Sequence, residues 1–401
     1  MKVLTISHMY PSTFNEVSGI FVHEQVKALK EKGVKVKVVS PVPWTPFPIN
    51  KVSKKWERYS MIPEFTNWDG IKVWYPRYLT FPKALFFASS GKRMYWGIKN
   101  LVKKLYRDFK FDLIHAHVAL PDGYAAMELA QDLDIPFVVT IHGADLYITI
   151  KKNTECLYTL KQVFKRADRI ILVSHELKKI LSNYFEVSDK LLVIGNGIPI
   201  NKIYTCKDNA DSSNNKNKGL MLLSASYLIE RKGIDYNLRA LSKLINKYPE
   251  LRYIIAGDGV EKNKLQELAK ELGVYERVEF IGMLSHDDVL KYMSEADIFS
   301  LPSWNEAFGV VYIEAMACGK PVIGCEGEGL EDFVRNFETG LLVKPKDVDS
   351  LAEAMDFLLS NPDKAKEIGE RGRKLVLDNY TWEKNAEKTI RVYQEVLDDV
   401  R

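Results

Sequence analysis

A chain of 401 residues, 46% of them hydrophobic, is long enough to bury two separate cores. Its formal charge of +4 is too mild to call for nucleic acid as a partner. Four cysteines, Cys156, Cys206, Cys318 and Cys325, form no CxxC pair and keep no regular spacing, which points to neither a zinc site nor a disulfide framework and suits a reducing cytosol.

Residues 1–7 make a strand-like run that His8 and Pro11 interrupt too soon for a secretory leader. No apolar stretch approaches the ~18 residues of a membrane span, so a soluble or peripheral protein is expected. Residues 3–7 read as a buried parallel strand. The loop 8–19 leads into a helix with Val22, Val26 and Leu29 at helical spacing, Gly33 ends it, and 34–39 gives the next strand. In such a βαβ opening the ligand lies where the loop meets the helix start. No GxGxxG is present, so a dinucleotide fingerprint is missing. On composition alone Gly19 reads as a plain N-cap glycine.

Residues 41–96 hold five of the seven tryptophans and seven of the sixteen prolines. That composition resists a regular helix or a central strand, and the segment reads as an irregular insertion in the first domain. Residues 92–110 carry seven basic residues and one acidic, interleaved with Met94, Trp96, Ile98, Val102 and Leu105. A helix of this kind either docks on an anionic membrane surface or turns its apolar side into the core.

The strand 111–115 delivers His115 and His117 into the loop at its carboxyl end. After a helix at 122–132, the strand 136–141 is followed by His142, Gly143 and Asp145. Polar groups at such strand ends suit binding. No local cysteine or carboxylate pattern completes a zinc site with these histidines. Asp132-Leu-Asp134, formally a DxD, sits at a helix end and reads as a cap. Strands at 169–174 and 191–197 follow, and the polar run 202–218 cannot hold a core and reads as a linker.

Beyond it the rhythm restarts with a strand at 220–225, a loop holding Arg231, Lys232 and Gly233, and a helix at 235–248. A strand at 252–256 ends on Gly257, a helix spans 262–272, and a strand at 278–282 precedes Met283 and Leu284. Gly257-x-Gly259 alone is weak, because Lys262 stands where the dinucleotide motif needs its third glycine. Two serial α/β units without a short internal repeat predict twin Rossmann-like domains.

The densest chemistry lies at 296–325. A strand at 297–301 stops at Pro302, Asn305 and Glu306 open a turn, and a helix at 308–317 is ended by Gly319 and Pro321. Glu314 has Val310, Val311, Ala317 and Cys318 three and four residues away, so its carboxylate lies on an apolar face and needs a partner. That partner is either an ion pair within the fold or a polar ligand. Gly309, lacking a side chain, leaves the helix amides and dipole open to a phosphate, and Glu306 lies at the mouth of the same site. Two carboxylates bracketing a phosphate-binding helix start suit a sugar nucleotide. After residue 349 the chain reads as helical, with 382–400 the last amphipathic stretch.

The run SWNEAFGVVYIEAMACGKPVI, which spaces Glu306 and Glu314 as E-x7-E, resembles the signature of the retaining glycosyltransferases of family 4, group 1, with the GT-B fold. His115-Ala-His117 followed by T-H-G-x-D, and the turn Gly195-Asn196-Gly197, fit the same pattern, which covers nearly the whole chain and is weakest at 41–96. The resemblance implies an α/β protein of two Rossmann-like domains facing across a cleft. An acceptor domain at 1–200, to which 381–401 returns, would be joined by a linker at 201–218 to a nucleotide-sugar domain at 219–380. It also implies transfer of a sugar from a nucleoside diphosphate sugar to a hydroxyl of a glycan or lipid-linked acceptor, without metal or cofactor. Such an enzyme would work in the cytoplasm, peripheral to the inner face of the membrane through 92–110.

By the same resemblance Glu306, His117 and Lys232 are catalytic. Gly19, Tyr227, Gly257, Met283, Leu284, Phe308, Gly309, Val310 and Glu314 would meet the donor, and His142 and Asp145 the acceptor. One position departs from the pattern. Against the family's G-R-L-x-x-x-K-G, the lysine falls on Lys232 but the arginine falls on Tyr227, which carries no charge at neutral pH. Arg231, next to Lys232, is expected to supply the missing cation as a further catalytic residue. Two rival readings share the architecture: a sugar-nucleotide epimerase, which needs no acceptor, and a non-catalytic partner that binds a sugar nucleotide.

Overall fold

The computed structural model describes residues 1–201, 203 and 219–399; apart from 201 and 203, the predicted linker at 201–218 lies outside them. The chain divides into two compact units, Met1–Gly197 together with the chain from Trp382 onward, and Ile198–Thr381.

In the first unit the strands are β1 (Lys2–Ile6), β2 (Lys35–Val39), β3 (Val42–Pro43), β4 (Phe65–Trp68), β5 (Ile71–Trp74), β6 (Arg77–Tyr78), β7 (Leu113–His117), β8 (Phe137–Ile141), β9 (Arg169–Leu172) and β10 (Leu191–Val193). Eight of them form one sheet in the order β10-β9-β8-β7-β1-β2-β5-β4, while β3 and β6 pair with each other. Pairing in the large sheet is parallel except between β4 and β5. The central strands are apolar runs because helices cover both faces. Chain order reverses beside β1, with β2 on one side and β7 on the other, and this places the ligand crevice at the carboxyl ends of β1 and β7.

Two expectations are corrected here. Residues 41–96 are more regular than their composition suggests, because Pro63 and Pro76 bracket a proline-free stretch able to donate every ladder N–H. That stretch forms the β4–β5 hairpin, turned by Asp69 and Gly70 at positive φ, and extends the sheet past β2. Moreover, β7 keeps its pairing with β8 through His117 and Thr140. Both histidines expected in the loop are therefore buried residues of the strand.

The helix Ser90–Phe109 buries Met94, Ile98, Val102 and Leu105 and packs on the helix Tyr124–Leu133. Its apolar stripe thus belongs to the core. The formal DxD is a helix end, with Asp134 at φ 51 as the cap and Asp132 bonded to Lys103 and to the Tyr95 hydroxyl, each at 2.8 Å. Among the described residues no helix is long and apolar enough to cross a membrane. The final helix, Trp382–Asp399, places Trp382, Ala386, Val392, Tyr393 and Val396 in one cluster with Val3, Leu29, Leu113, Val138 and Ile171. Full burial stabilises by about 1.5–3 kcal/mol for each large apolar side chain, so this helix is integral to the first unit's core.

The second unit is a parallel sheet of β11 (Met221–Ala225), β12 (Arg252–Ala256), β13 (Val278–Gly282), β14 (Ile298–Ser300), β15 (Val322–Cys325) and β16 (Leu341–Val343), in the order β13-β12-β11-β14-β15-β16. Here order reverses beside β11, and the crevice lies at the carboxyl ends of β11 and β14. The helix expected at 308–317 begins at Val310, because Gly309 at φ 86 is left-handed and cannot be helical.

Candidate functional site

Each unit carries a polar cluster at the strand ends beside its reversal. In the first unit, His8 follows β1, and its Nδ1 lies 2.8 Å from Oδ2 of the buried Asp122, which also accepts the His8 amide. Burial opposes charge on His8, but the Asp122 carboxylate and its hydrogen bond outweigh it and raise the imidazole pKa. The loop after β1 is thereby tied to the loop after β7. Gly19, the first residue before the helix Ile20–Glu31, has φ 66, and a Cβ there would come within 2.2 Å of the Met9 carbonyl oxygen. Close packing on the β1 loop requires the glycine, independently of any ligand.

Asp145 was expected on the acceptor side, but its buried carboxylate accepts the amides of Ala119 at 3.0 Å and Leu120 at 3.2 Å. Those bonds make it a positioning residue of the loop after β7. The same loop holds Val118 at φ 68, a costly conformation for a β-branched residue, over-determined by the bond from its amide to the Thr140 carbonyl at 2.8 Å.

Three imidazoles stack beside it. His115 is bonded on both nitrogens, to the Tyr393 hydroxyl at 2.6 Å and to Thr140 Oγ1 at 2.7 Å, which leaves no lone pair for a metal. Nδ1 of His117 lies 3.0 Å from Nε2 of His142, with the rings parallel to within 15°. The other nitrogen of each ring, His117 Nε2 and His142 Nδ1, is buried without a hydrogen-bond partner. Burial lowers the pKa of His115 and of His142 to about 3 and that of His117 well below the usual histidine range.

A pH dependence of stability follows. The unfolded chain protonates these rings below about pH 6.5 while the folded chain does not. Their stabilisation is complete above that pH and is lost as pH falls toward about 3. Asp145, lifted by burial to about 6, and the buried Asp122 act in the opposite direction, since the folded chain retains their protons. Urea midpoints are expected to drop less steeply between pH 7 and pH 5 in His142→Gln than in the wild type. Equal slopes would show that this ring is not held neutral.

In the second unit Lys232, after β11, places its Nζ 2.5 Å from Oε2 of Glu306, after β14, and both side chains are 13% exposed. Ser303 Oγ donates to the same oxygen at 3.1 Å. The amides of Asn305 and Glu306 donate to the two carboxylate oxygens of Glu328, at 2.9 and 2.7 Å, which fixes the turn before the helix Val310–Ala317. Arg231 Nη1 reaches the Asn305 carbonyl at 3.4 Å, so its charge sits on the same turn. Tyr227 is exposed nearby in sequence. Phe308 was expected at the donor, but the residue is buried, with its ring against Phe333 and Tyr380.

Glu314 does have a partner within the fold: Oε1 lies 2.7 Å from Nε2 of His286, the first residue of the helix His286–Glu295. That helix follows directly on Met283 and Leu284, so the pair joins the end of β13 to the helix after β14. Gly257, at φ 131, is where the strand ends converge, since a Cβ there would lie 1.8 Å from the Ser226 carbonyl oxygen. Its amide donates to the Gly282 carbonyl at 2.7 Å.

The family described as Glycosyltransferase Family 4 matches residues 18–202, and the one described as Glycosyl transferases group 1 matches 207–375. Uncharacterized glycosyltransferase MJ1607 of Methanocaldococcus jannaschii is 30% identical over 348 residues, covering 83% of this chain and 87% of that protein. This chain belongs to the group 1 glycosyltransferases of family 4. Sucrose-phosphate synthase from Thermosynechococcus elongatus superposes on this glycosyltransferase over the full length of both chains with a TM-score of 0.81 at 22% identity. Anabaena HepE, solved in complex with UDP and glucose, covers 98% of this chain and 100% of its own at a TM-score of 0.71 and 18% identity. The fold of the glycosyltransferase is accordingly GT-B.

Proposed function

We propose that this glycosyltransferase moves a sugar, with retention at the anomeric carbon, from a nucleoside diphosphate sugar to a hydroxyl of a glycan or lipid-linked acceptor. It would act in the cytoplasm, peripheral to the membrane. The observation that carries the reading is the Lys232–Glu306 contact of 2.5 Å beside the uncapped helix start at Gly309 and Val310. It holds a cation and a carboxylate at the crevice of the second unit, where a helix N-terminus accepts phosphate. HepE, whose structure holds UDP and glucose, supports the donor class.

In this reading Lys232 and the first-turn amides stabilise the departing diphosphate. Glu306 takes sugar hydroxyls and Glu314 the ribose. Met283 and Leu284 offer backbone to the base, and His117 lies beside the transferred sugar. The leaving diphosphate accepts the proton of the attacking hydroxyl, so no glycosidase-like carboxylate pair, metal or cofactor is required. Donor hydrolysis across a panel of nucleotide sugars is the test. One accepted donor is expected, and hydrolysis of none, with donor binding intact, would favour the non-catalytic reading.

That second reading draws support from Tyr227, which leaves the site short of one cation. Arg231 would answer it: next to Lys232 in the chain, it is held on the carbonyl of Asn305, the residue before Glu306. Arg231→Ala is expected to lower turnover at least about tenfold, which corresponds to about 1.4 kcal/mol of barrier. Full activity in that variant would show that Lys232 alone suffices. Glu314→Ala is expected to weaken donor binding while leaving turnover at saturation nearly unchanged, because a ribose hydrogen bond is made equally in the ground and transition states. A fall in turnover without a change in donor affinity would overturn the ribose assignment.

A further inference from the structure

The exposed apolar side chains of this protein are not scattered. Of the 22 large apolar side chains exposed among the described residues, ten lie between Trp44 and Phe86. Phe47 and Val52 are 74% exposed and Phe86 70%, whereas a solvated surface ordinarily shows such groups singly. The fold brings two runs of them together. β3 pairs in parallel with β6, and the Trp44 amide donates to the Tyr78 carbonyl at 2.8 Å, so the segments after 44 and after 79 leave this small sheet at the same end. In the second of them Lys83, Ala84 and Phe86 adopt positive φ, and Leu85 and Phe86 stand in solvent.

Cations surround these side chains. The Arg93 guanidinium lies 4.9 Å from the Phe81 ring and donates to the carbonyls of Leu79 and Phe86. Lys152 donates to the Ala84 carbonyl at 3.3 Å and lies 4.6 Å from the Phe87 ring, which brings the exposed Ile148 and Lys151 to the same side. Residues 79–93 and 146–154 contain Lys83, Lys92, Arg93, Lys151 and Lys152 and no aspartate or glutamate. Residues 44–61 add Lys51, Lys54, Lys55 and Arg58 against Glu57 alone. The stretch 146–154 is flanked by the buried Asp145 and by Glu155 in the first turn of the next helix.

We propose that this surface, centred on Leu85 and Phe86, docks on an anionic lipid bilayer. The apolar side chains would enter the headgroup boundary and the lysines and arginines would meet lipid phosphates. Charge decides against a second copy of the chain as the occupant: a two-fold contact sets the same patch against itself, and Arg93 and Lys152 with the neighbouring lysines would face their own copies. The surface also differs from the one the sequence suggested, because the apolar stripe of 92–110 is core. Docking rests on the peripheral placement proposed above and is measured without turnover, so its failure would leave the sugar-transfer reading standing.

The full chain would be sedimented with vesicles of phosphatidylcholine, with and without phosphatidylglycerol, at low and high salt. Binding only to the phosphatidylglycerol vesicles, and release by salt, are expected. The double variant Leu85→Asp, Phe86→Asp should lose at least about tenfold in partitioning, since burying each such side chain is worth more than the 1.4 kcal/mol of one decade. Both positions are exposed, so the thermal transition should not move. Lys151→Glu with Lys152→Glu should weaken binding and flatten its salt dependence. Absence of binding, equal binding to both vesicle types, or release by Trp96→Asp in place of the double variant would overturn the proposal. So would concentration-dependent self-association that the double variant abolishes.

Discussion

Lys232→Ala is expected to lower kcat/KM for the donor by about 100- to 1000-fold, the range found when one preorganised donor to developing negative charge is removed. The ammonium has three donors and uses one on Glu306 at 2.5 Å, so it can serve a phosphate oxygen without abandoning its partner. Removing it has a second consequence. Glu306 would keep Ser303 as a hydrogen-bond donor but lose its counter-charge at 13% exposure, where an unpaired carboxylate is costly and would repel an incoming diphosphate. Lys232→Ala with Glu306→Gln separates the two effects, since it removes the repulsion and restores no cation. Donor titration should therefore recover in the double variant while turnover stays low. Turnover near wild type in Lys232→Ala would sink the leaving-group assignment.

How much of this site can be read from the sequence depends on how far apart its partners lie in the chain. Glu306 and Glu314 sit in one strand-turn-helix unit, and a local pattern with glycine and proline stops places both. Their partners are remote. His286 is 28 residues from Glu314, and no periodicity in the helix His286–Glu295 marks its first residue as the one that meets a carboxylate. Glu328 clamps the turn at Asn305 and Glu306 from a loop beyond β15, in a run that also holds Glu326 and Glu331 and so hides which of the three reaches back. His8 and Asp122 are 114 residues apart, Tyr393 and His115 278. These contacts are set by sheet order, which the alternation of strands and helices suggests but does not number.

The fold shows the same division. Strands buried on both faces appear as apolar runs and can be placed within a few residues. The β4–β5 hairpin is harder to see because tryptophans and prolines dominate the surrounding segment, and its Asp69-Gly70 turn is a two-residue signal within 56 residues of irregular composition. Asp145 illustrates the opposite error. A polar residue after a strand end looks available for a ligand, yet the amides of Ala119 and Leu120, stranded by the sharp turn after β7, need an acceptor more.

His117→Ala is expected to lower turnover by about 100-fold, the lower end of what one preorganised hydrogen-bonding group at the transition state contributes. Both rings of the His117–His142 pair are neutral, so one N–H donates across the 3.0 Å contact and the other ring accepts. The direction of that bond fixes the state of the other ring nitrogen of His117, Nε2, which is buried without a partner. If His117 donates from Nδ1, its Nε2 presents a lone pair; if His142 donates, Nε2 presents a proton. A glutamine amide reaches about as far as Nε2 and an asparagine amide only as far as Nδ1, so His117→Gln should retain more turnover than His117→Asn. Because burial holds the ring's pKa well below the usual value, it stays neutral as pH falls through 6.5, and the kcat profile should show no histidine-like step there. His142→Ala should cost less, about tenfold, by releasing the tautomer and not the reactive nitrogen. A kcat step near pH 6.5 that disappears in His117→Gln would show that the ring titrates in the working range, and equal activity of the glutamine and asparagine variants would remove Nε2 from the chemistry.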